Sequence, residues 1–393
     1  MSKSFCYAGH LIDGTGSPAR KSALLCMENG LISSLEFHAP EDLPRVLPPL
    51  SGAPVQSYPD CTILPGLIDS HVHLAMSGKT DPELRAEQLR NGFEQNRPLI
   101  AERIRQSLGC GIMALRDGGD AGGHALEYVR ANPRSSVQVK CAGRGWRARG
   151  RYGKIIGREP LEGLTLAESI AADRPGGDHV KILNSGINSL TEFGRETAPQ
   201  FDREQLRAAF AQAKKQGKKI MVHANGTLPV EFAIEAGCDS IEHGFFMGEE
   251  NLRKMADKQI FWVPTAVTMK ALLAQSKVAA RILETQLDQM RRARALGVPI
   301  ASGTDAGSFG VRHGQALVEE FKLMVQAGFS IEETICGATR TGARLLGLDH
   351  ELGLLRPGMP ASFLVVPGPP SELPGSLISL KSVFIRGMKS GMS

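Results

Sequence analysis

Ile63-Leu-Pro-Gly-Leu-Ile-Asp-Ser-His-Val-His73 is an apolar run that ends in two imidazoles. Read as a strand, it sends residues i and i+2 to the same face, so His71 and His73 point inward together while Val72 packs the other way. Two neutral imidazoles side by side suit one divalent metal. A bare His-x-His is as readily a surface pair; the buried opening Ile63–Asp69 is what favours the interior.

Further runs of this kind follow: Cys110–Arg116, Val137–Ala142, His179–Leu183, Lys219–His223, Ser240–His243, Ile260–Val267 and Pro299–Thr304. Helix-periodic, charge-rich stretches separate most of them, among them Asp81–Leu108, Asp202–Gln216, Pro229–Ala236 and Ala279–Leu296, and a last helix is expected over Ser330–Leu346. Strands buried on both faces and alternating with helices form parallel sheets. Eight such units, counting the first, match an α/β fold of the (β/α)₈ TIM-barrel kind, which typically takes about 250 residues. The expected barrel spans residues 63–350.

Residues 1–62 read as short strands. Asn29-Gly30, between Ser22–Met27 and Leu31–Leu35, marks a hairpin, and the Pro- and Ser-rich stretch from Pro40 to Pro59 reads as a loop. Strand-like runs return in residues 351–393, at Ala361–Val366 and Ser382–Ile385. Both termini are therefore expected to build one small β-sandwich domain.

The candidate chemistry falls where the strands end. His223 follows Ile220-Met-Val, and His243 follows Ile241-Glu. Each alone reads as a core histidine satisfied by a carbonyl; matched strand ends argue for shared ligation. Lys181, inside His179–Leu183, would carry an ammonium in a low-dielectric site beside cations, which is untenable. It can lose its proton, or add CO₂ to become a carbamate, an anionic ligand with two oxygens. Otherwise it is a strand-end lysine reaching for solvent. Asp305, in Ala301-Ser-Gly-Thr-Asp-Ala-Gly307, is placed to ligate metal and to accept a proton; the plain alternative is a helix N-cap.

Composition sets the outer limits. The chain has 393 residues, 42% of them hydrophobic and 22% charged, which excludes global disorder. Its formal net charge of +5 is too weak over this length to argue for nucleic acid. Seven scattered cysteines without a Cys-x-x-Cys fit reduced thiols. With no signal-like opening and no membrane-length apolar run, the expectation is a cytoplasmic protein with a small-molecule substrate, no nucleic-acid or membrane partner, and a homo-oligomer left open.

Pro65-Gly-Leu-Ile-Asp-Ser-His-Val-His73, Lys181, His223, His243 and Ser302-Gly-Thr-Asp305 together resemble the amidohydrolase superfamily. The chain is similar to its imidazolonepropionase-like and prolidase- or carboxypeptidase-like branch. Gly337-Ala-Thr-Arg-Thr-Gly-Ala-Arg-Leu-Leu-Gly347 and Leu352-Gly-Leu-Leu-Arg-Pro-Gly358 resemble that branch's terminal segments. The resemblance implies two divalent metal ions, Zn²⁺ by default with Mn²⁺ or Fe²⁺ as alternatives. His71, His73 and Asp305 would hold one; Lys181, N6-carboxylated, would bridge to a second held by His223 and His243. Amide or peptide hydrolysis of a small carboxylate-bearing substrate, a dipeptide or N-acyl amino acid, would then proceed by a metal-bridging hydroxide with Asp305 as proton shuttle. Cyclic amide or amidine hydrolysis and a non-catalytic scaffold are the alternatives.

Where many relatives carry a His after the third strand, Gly143–Gly153 has none. Arg151 or Tyr152 is the candidate replacement, within an arginine cluster (Arg144, Arg147, Arg149, Arg151, Lys154, Arg158) expected on the catalytic side. His124 and His313, in loops beyond strands two and eight, are further candidates for substrate contact. His10, His38, His179 and His350 read as structural or exposed.

Overall fold

A computed structural model of the protein describes residues 3–38, 40–42, 54–174 and 176–390. At the N-terminus β1 (Lys3–Leu11) and β2 (Arg20–Glu28) pair antiparallel, and β2 reverses into β3 (Leu31–Phe37). Asn29 and Gly30 carry the reversal at φ 54° and 80°, the handedness that matches right-twisted strands. Part of the expected Pro40–Pro59 loop is strand instead. β4 (Val55–Pro65) runs parallel to β1, while residues 43–53 lie outside the described residues. Pro59 is tolerated because the register shifts between Ala8 and His10, leaving Pro59, Asp60 and Cys61 opposite Gly9 alone. A bulge of this kind needs no ladder hydrogen bond from the proline.

The Ile63–Leu74 run is two strands joined at Gly66. Its first residues finish β4, and β5 (Leu67–Val72) opens a parallel sheet with β6 (Ile112–Asp117) and β7 (Gln138–Cys141). A second sheet contains β8 (Gly145–Trp146), β9 (Gly157–Arg158), β10 (His179–Leu183), β11 (Lys219–Ala224), β12 (Ser240–His243) and β13 (Phe261–Val263). Its order is β13-β12-β11-β10-β8-β9, with every pairing parallel. The short pair β8–β9, inside the arginine-rich stretch, carries no apolar run that could have announced it.

The expected eighth strand is not regular. Residues 299–306 make single bridges, Ile300 to Trp262 and Ala306 to Val72. Trp262 N–H donates to Pro299 O, Ser70 N–H to Ser302 O and His73 N–H to Ala306 O, so the segment lies between β13 and β5. Two features interrupt the ladder: Gly303, where a Cβ would fall 2.5 Å from Val263 Cγ1, and Asp305, held at φ 59°.

Helices cover these strands. The expected helix Asp81–Leu108 is two, Pro82–Arg90 and Phe93–Gly109, because Asn91-Gly92 breaks it. Asp202 and Gln205 form a capping box that starts Arg203–Lys215. The last helical stretch passes through a π-turn at Gly337–Thr341 between Ile331–Cys336 and Gly342–Leu346. Ile68, Leu115, Ile182, Val222, Ile241 and Trp262 are fully buried members of the shared core.

The tail adds β14 (Phe363–Pro367), β15 (Ser382–Ile385) and β16 (Met388–Lys389) to the N-terminal strands. The expected sandwich is one seven-stranded sheet, β16-β15-β14-β4-β1-β2-β3. Its ends approach each other: Ala361 N–H donates to Gly30 O, and Gly387 N–H to Ala361 O. The curl encloses Ala8, Leu25, Ile63, Val365 and Phe384, and the paired Phe363 and Phe384 rings stack at 4.4 Å. No described helix is long and apolar enough to cross a membrane.

A Cβ at Gly9 would fall 1.9 Å from Pro59 O, a backbone atom that cannot swing aside. Gly9→Ala is expected to destabilise the protein by about 1–3 kcal/mol, read as a lowered midpoint in thermal or urea unfolding.

Candidate active site

β5 delivers its histidines to the sheet's carboxyl end, and period-two geometry brings their rings to 5.3 Å between centroids. His73 Nδ1 donates to Gly119 O at 2.7 Å, which leaves Nε2 turned inward, 3.2 Å from Asp305 Oδ1. His71 is wholly buried; its Nε2 is 3.5 Å from Asp305 Oδ1 and 3.5 Å from Lys181 Nζ. One ligand atom each from His71, His73 and Asp305 lie within 4.8 Å of one another.

His223 and His243 close the cluster from β11 and β12. Their ring centroids are 4.6 Å apart, and that of His243 lies 5.0 Å from His71. Alternation along β12 would turn His243 away from the side that Ser240 and Glu242 face. A left-handed φ of 68° brings it back, an unusual state for a side chain with a Cβ. His243 Nδ1 shares a hydrogen bond with Thr265 Oγ1 at 2.7 Å, and His223 Nε2 donates to Gly186 O at 3.1 Å. Each ring thus keeps one nitrogen free.

Beneath the cluster, Arg116 and Glu242 form an ion pair almost without access to water. Arg116 Nη2 donates to Glu242 Oε1 at 2.7 Å, Nη1 to Ser240 Oγ at 2.9 Å and Nε to Ser70 O at 2.7 Å. Glu242 Oε2 approaches His71 Nδ1 to 2.8 Å, close but poorly aligned for a hydrogen bond, and neither atom has another partner. Asp69 ties β5 to the irregular segment by accepting from Thr304 Oγ1 at 2.6 Å and Thr304 N–H at 3.0 Å.

Burial decides the charge states. It pulls the His223 imidazole down to about 4 and that of His243 to about 3, and holds His71 well below its ordinary range. All three are neutral at pH 7, the form that binds metal. Lys181 is pulled by burial down to about 8, against the upward pull of Glu242 and Asp305. Burial pushes Asp305 upward, but its hydrogen bond with His73 and the imidazoles around it outweigh that and hold it ionised. Burial lowers His73 as well, but its hydrogen bond with Asp305 and the charge of that carboxylate outweigh burial and raise it. Three neutral imidazoles with free nitrogens, His73 beside them, a buried amine of lowered basicity and a carboxylate make a donor set that fits divalent cations.

The cluster opens into a cavity of about 270 Å³ lined by His73, Lys181, His223, His243 and Asp305, with Tyr152 and apolar side chains above. The Amidohydrolase family profile matches residues 62–389. The chain belongs to the amidohydrolase family. It is a hydrolase of the class that acts on carbon–nitrogen bonds. Ochratoxinase of Aspergillus niger is 26% identical over 415 residues, covering 93% of this chain and 81% of that protein. Imidazolonepropionase of Rhizorhabdus wittichii is 26% identical over 337 residues, covering 75% of this chain and 77% of its own. The crystal structure of a Xaa-Pro dipeptidase with bound methionine superposes with a TM-score of 0.81 at 25% identity, covering 99% of this chain and 100% of that one.

The four outlying candidates separate in this amidohydrolase. Tyr152 lines the cavity, its ring 5.5 Å from that of His223 and its hydroxyl without a hydrogen bond among the described residues. Arg151 does not line it; its guanidinium is taken by the carbonyls of Ala198 and Pro199. Nor does His124, which stacks on Phe93 at 6.2 Å, or His313, which is buried behind the cavity and donates to Met76 O at 2.9 Å. The rest of the arginine cluster also stays outside the lining: Arg147 pairs with Glu159, and Arg158 covers the Trp146 ring. Sequence reasoning passed over Glu242, Arg116, Thr265 and the cavity-lining Arg85. Glu242 stood in plain view beside His243, but its partner Arg116 is 126 positions away.

Removing one member of a buried ion pair strands the other. Glu242→Met is expected to cost about 3–5 kcal/mol in chemical unfolding. The double variant Arg116→Met/Glu242→Met should cost less than the single one, because no charge is left buried.

Proposed function

We propose that this amidohydrolase cleaves an amide or peptide bond in a small carboxylate-bearing substrate, a dipeptide or an N-acyl amino acid. The observation that carries the reading is the convergence of His71, His73, Lys181, His223, His243 and Asp305 at one buried point of one cavity. His71, His73 and Asp305 hold one divalent cation, and His223 and His243 a second, with zinc the ion best suited to these donors. Lys181 as a carbamate would add an anionic oxygen donor to this set: its neutral Nζ would add to CO₂ and release one proton, leaving N–COO⁻. Burial of the amine supports this, since it favours the uncharged form. The architecture that supports it is a closed (β/α)₈ barrel over about residues 63–350, in which residues 299–306 link β13 to β5 and Asp178 N–H bonds Cys141 O between β7 and β10. Seven unpaired cysteines favour the cytoplasm as its compartment.

Bound cations supply Lewis acidity at this point, acidifying a water and polarising a carbonyl oxygen. The chain's own residues do the rest. Asp305, ionised and anchored by Ser308 Oγ at 2.7 Å, accepts the water's proton and returns it to the leaving nitrogen. Tyr152 offers its free hydroxyl to the carbonyl oxygen, in the place where many relatives use a histidine. Thr265 holds the ring of His243 in place, and Gly119 O fixes the tautomer of His73, so that each presents its inward nitrogen. Likeness to a Xaa-Pro dipeptidase along the whole chain supports the peptide-like substrate.

Dipeptides, N-acyl amino acids and cyclic amides assayed side by side with added zinc or manganese test the reading. Turnover of at least one dipeptide or N-acyl amino acid is expected; turnover confined to cyclic amides contradicts it. Lys181→Ala should lower kcat about 100-fold or more, with partial recovery on adding short-chain carboxylates; full activity without them removes Lys181 from the mechanism. Thr265→Val should weaken metal binding about 10- to 100-fold while leaving the unfolding midpoint little changed, measured by competition with a chelating dye.

A further inference from the structure

Three charged side chains line the cavity: Arg85, Lys181 and Asp305. The last two belong to the cluster, which leaves the guanidinium of Arg85. Arg85 sits on the helix Pro82–Arg90, whose start is fixed by Asp81 accepting from the N–H groups of Glu83 and Leu84. Its Nη1 donates to Lys79 O at 3.2 Å and to Gly307 O at 3.1 Å. Gly307 is two residues beyond Asp305, so the guanidinium is pinned to the segment that carries the proton-accepting carboxylate. Phe309, 5.9 Å from the guanidinium carbon, flanks it. Among the described residues Arg85 makes no ion pair, although the charge of Asp305 acts on it, and Nε and Nη2 make no hydrogen bond. A half-buried guanidinium with open donors beside a reaction centre is matched by a ligand carboxylate, which fills the fork with two parallel hydrogen bonds.

The remaining walls narrow the ligand further. Ile155, Ile187, Leu190, Met269 and Leu272 line the same cavity, interspersed with the neutral Asn188, Asn225 and Thr268, and Asp305 is its single acidic side chain. The one acidic group, Asp305, is already engaged by His73 and Ser308, so a cationic substrate side chain would find no free counter-charge, whereas an apolar one would be desolvated against apolar neighbours.

We infer that Arg85 anchors the free carboxylate of the substrate, and that the apolar walls select an uncharged hydrophobic residue beside the scissile bond. The inference rests on the hydrolytic reading for the position of that bond, and it deepens it. In an N-acyl amino acid or a dipeptide, the carboxylate carbon is two bonds from the scissile nitrogen. A guanidinium that is tied to Gly307, two residues beyond Asp305, and lines the same cavity as the cluster is placed to meet such a carboxylate. Arg85 is a specificity residue, distinct from the groups that hold cations or move the proton.

Binding, measured apart from turnover, tests it. N-Methylsulfonyl-L-leucine, its primary amide and N-methylsulfonyl-L-arginine, in which a sulfonamide that resists hydrolysis replaces the acyl amide, are titrated calorimetrically into the metal-loaded protein and into its Arg85→Ala and Arg85→Lys variants. The wild-type protein should bind the leucine acid about tenfold or more tightly than the amide or the arginine derivative, the scale of one or two charge-assisted hydrogen bonds. Arg85→Ala should remove the preference of acid over amide, and Arg85→Lys should keep part of it. Equal losses for acid and amide, a preference that survives Arg85→Ala, or no preference in the wild type overturns the assignment to Arg85. Tighter binding of the arginine derivative overturns the selection for apolar residues. A protein that binds the acid through Arg85 yet hydrolyses nothing in the panel keeps this inference and rejects the hydrolytic reading.

Discussion

Arg116 and Glu242 have almost no contact with water, and the polar interior is organised around them. Their pairing spans β6 and β12, and the same guanidinium donates to Ser70 O on β5. Two charges taken out of water cost several kcal/mol each unless every remaining donor and acceptor finds a partner. Here the guanidinium does so through Ser70 and Ser240, and the second carboxylate oxygen is turned toward His71. One consequence is mechanical, because three strands cannot slide without breaking the pair. The other is electrostatic: a carboxylate 2.8 Å behind His71 places negative charge against one face of the histidine cluster.

The site also draws on backbone conformations that ordinary strands avoid. His243, Thr265 and Asp305 are left-handed at φ 68°, 47° and 59°. Each lies where a strand or strand-like segment gives way to its loop, and each redirects a side chain that simple alternation would send elsewhere. Such states cost of order 1–3 kcal/mol each and persist where neighbours over-determine them. The neighbours here are visible. Trp262 Nε1 and Gln286 Nε2 both donate to His243 O, while Glu320 accepts from the N–H groups of Ala266 and Val267 just after Thr265. Stability and chemistry therefore meet in the same residues, with the large β13 tryptophan serving both.

Much of this was legible in the chain because local rules survive folding. Asn29-Gly30 makes its turn wherever it stands, and His71-Val-His73 puts two rings on one face by strand geometry alone. Lys181, His223 and His243 were legible by type and position together, a polar group closing an apolar run. What escaped had long-range causes. The break at Gly66 depends on Met113, which a Cβ there would strike at 2.2 Å. The eighth strand loses its ladder through Gly303 and Asp305, whose conformations are set by Val263 and His71 on neighbouring strands. Arg85 reads as one more charge on a polar helix until Gly307, 222 positions later, is folded against it. The arginine cluster misled for the converse reason: its loop lies after the core strand β7, yet its charges are absorbed by Glu159, by Asp173 and by carbonyls outside the cavity.

All of the chemistry assigned here requires that the six converging side chains bind cations. Elemental analysis of the purified protein, dialysed free of loose metal, measures this most directly. The account requires about two divalent ions per chain, with a loss of at least one when His71 and His73 are replaced. A wild-type protein that retains fewer than about one ion per chain after loading with zinc, manganese or iron contradicts it.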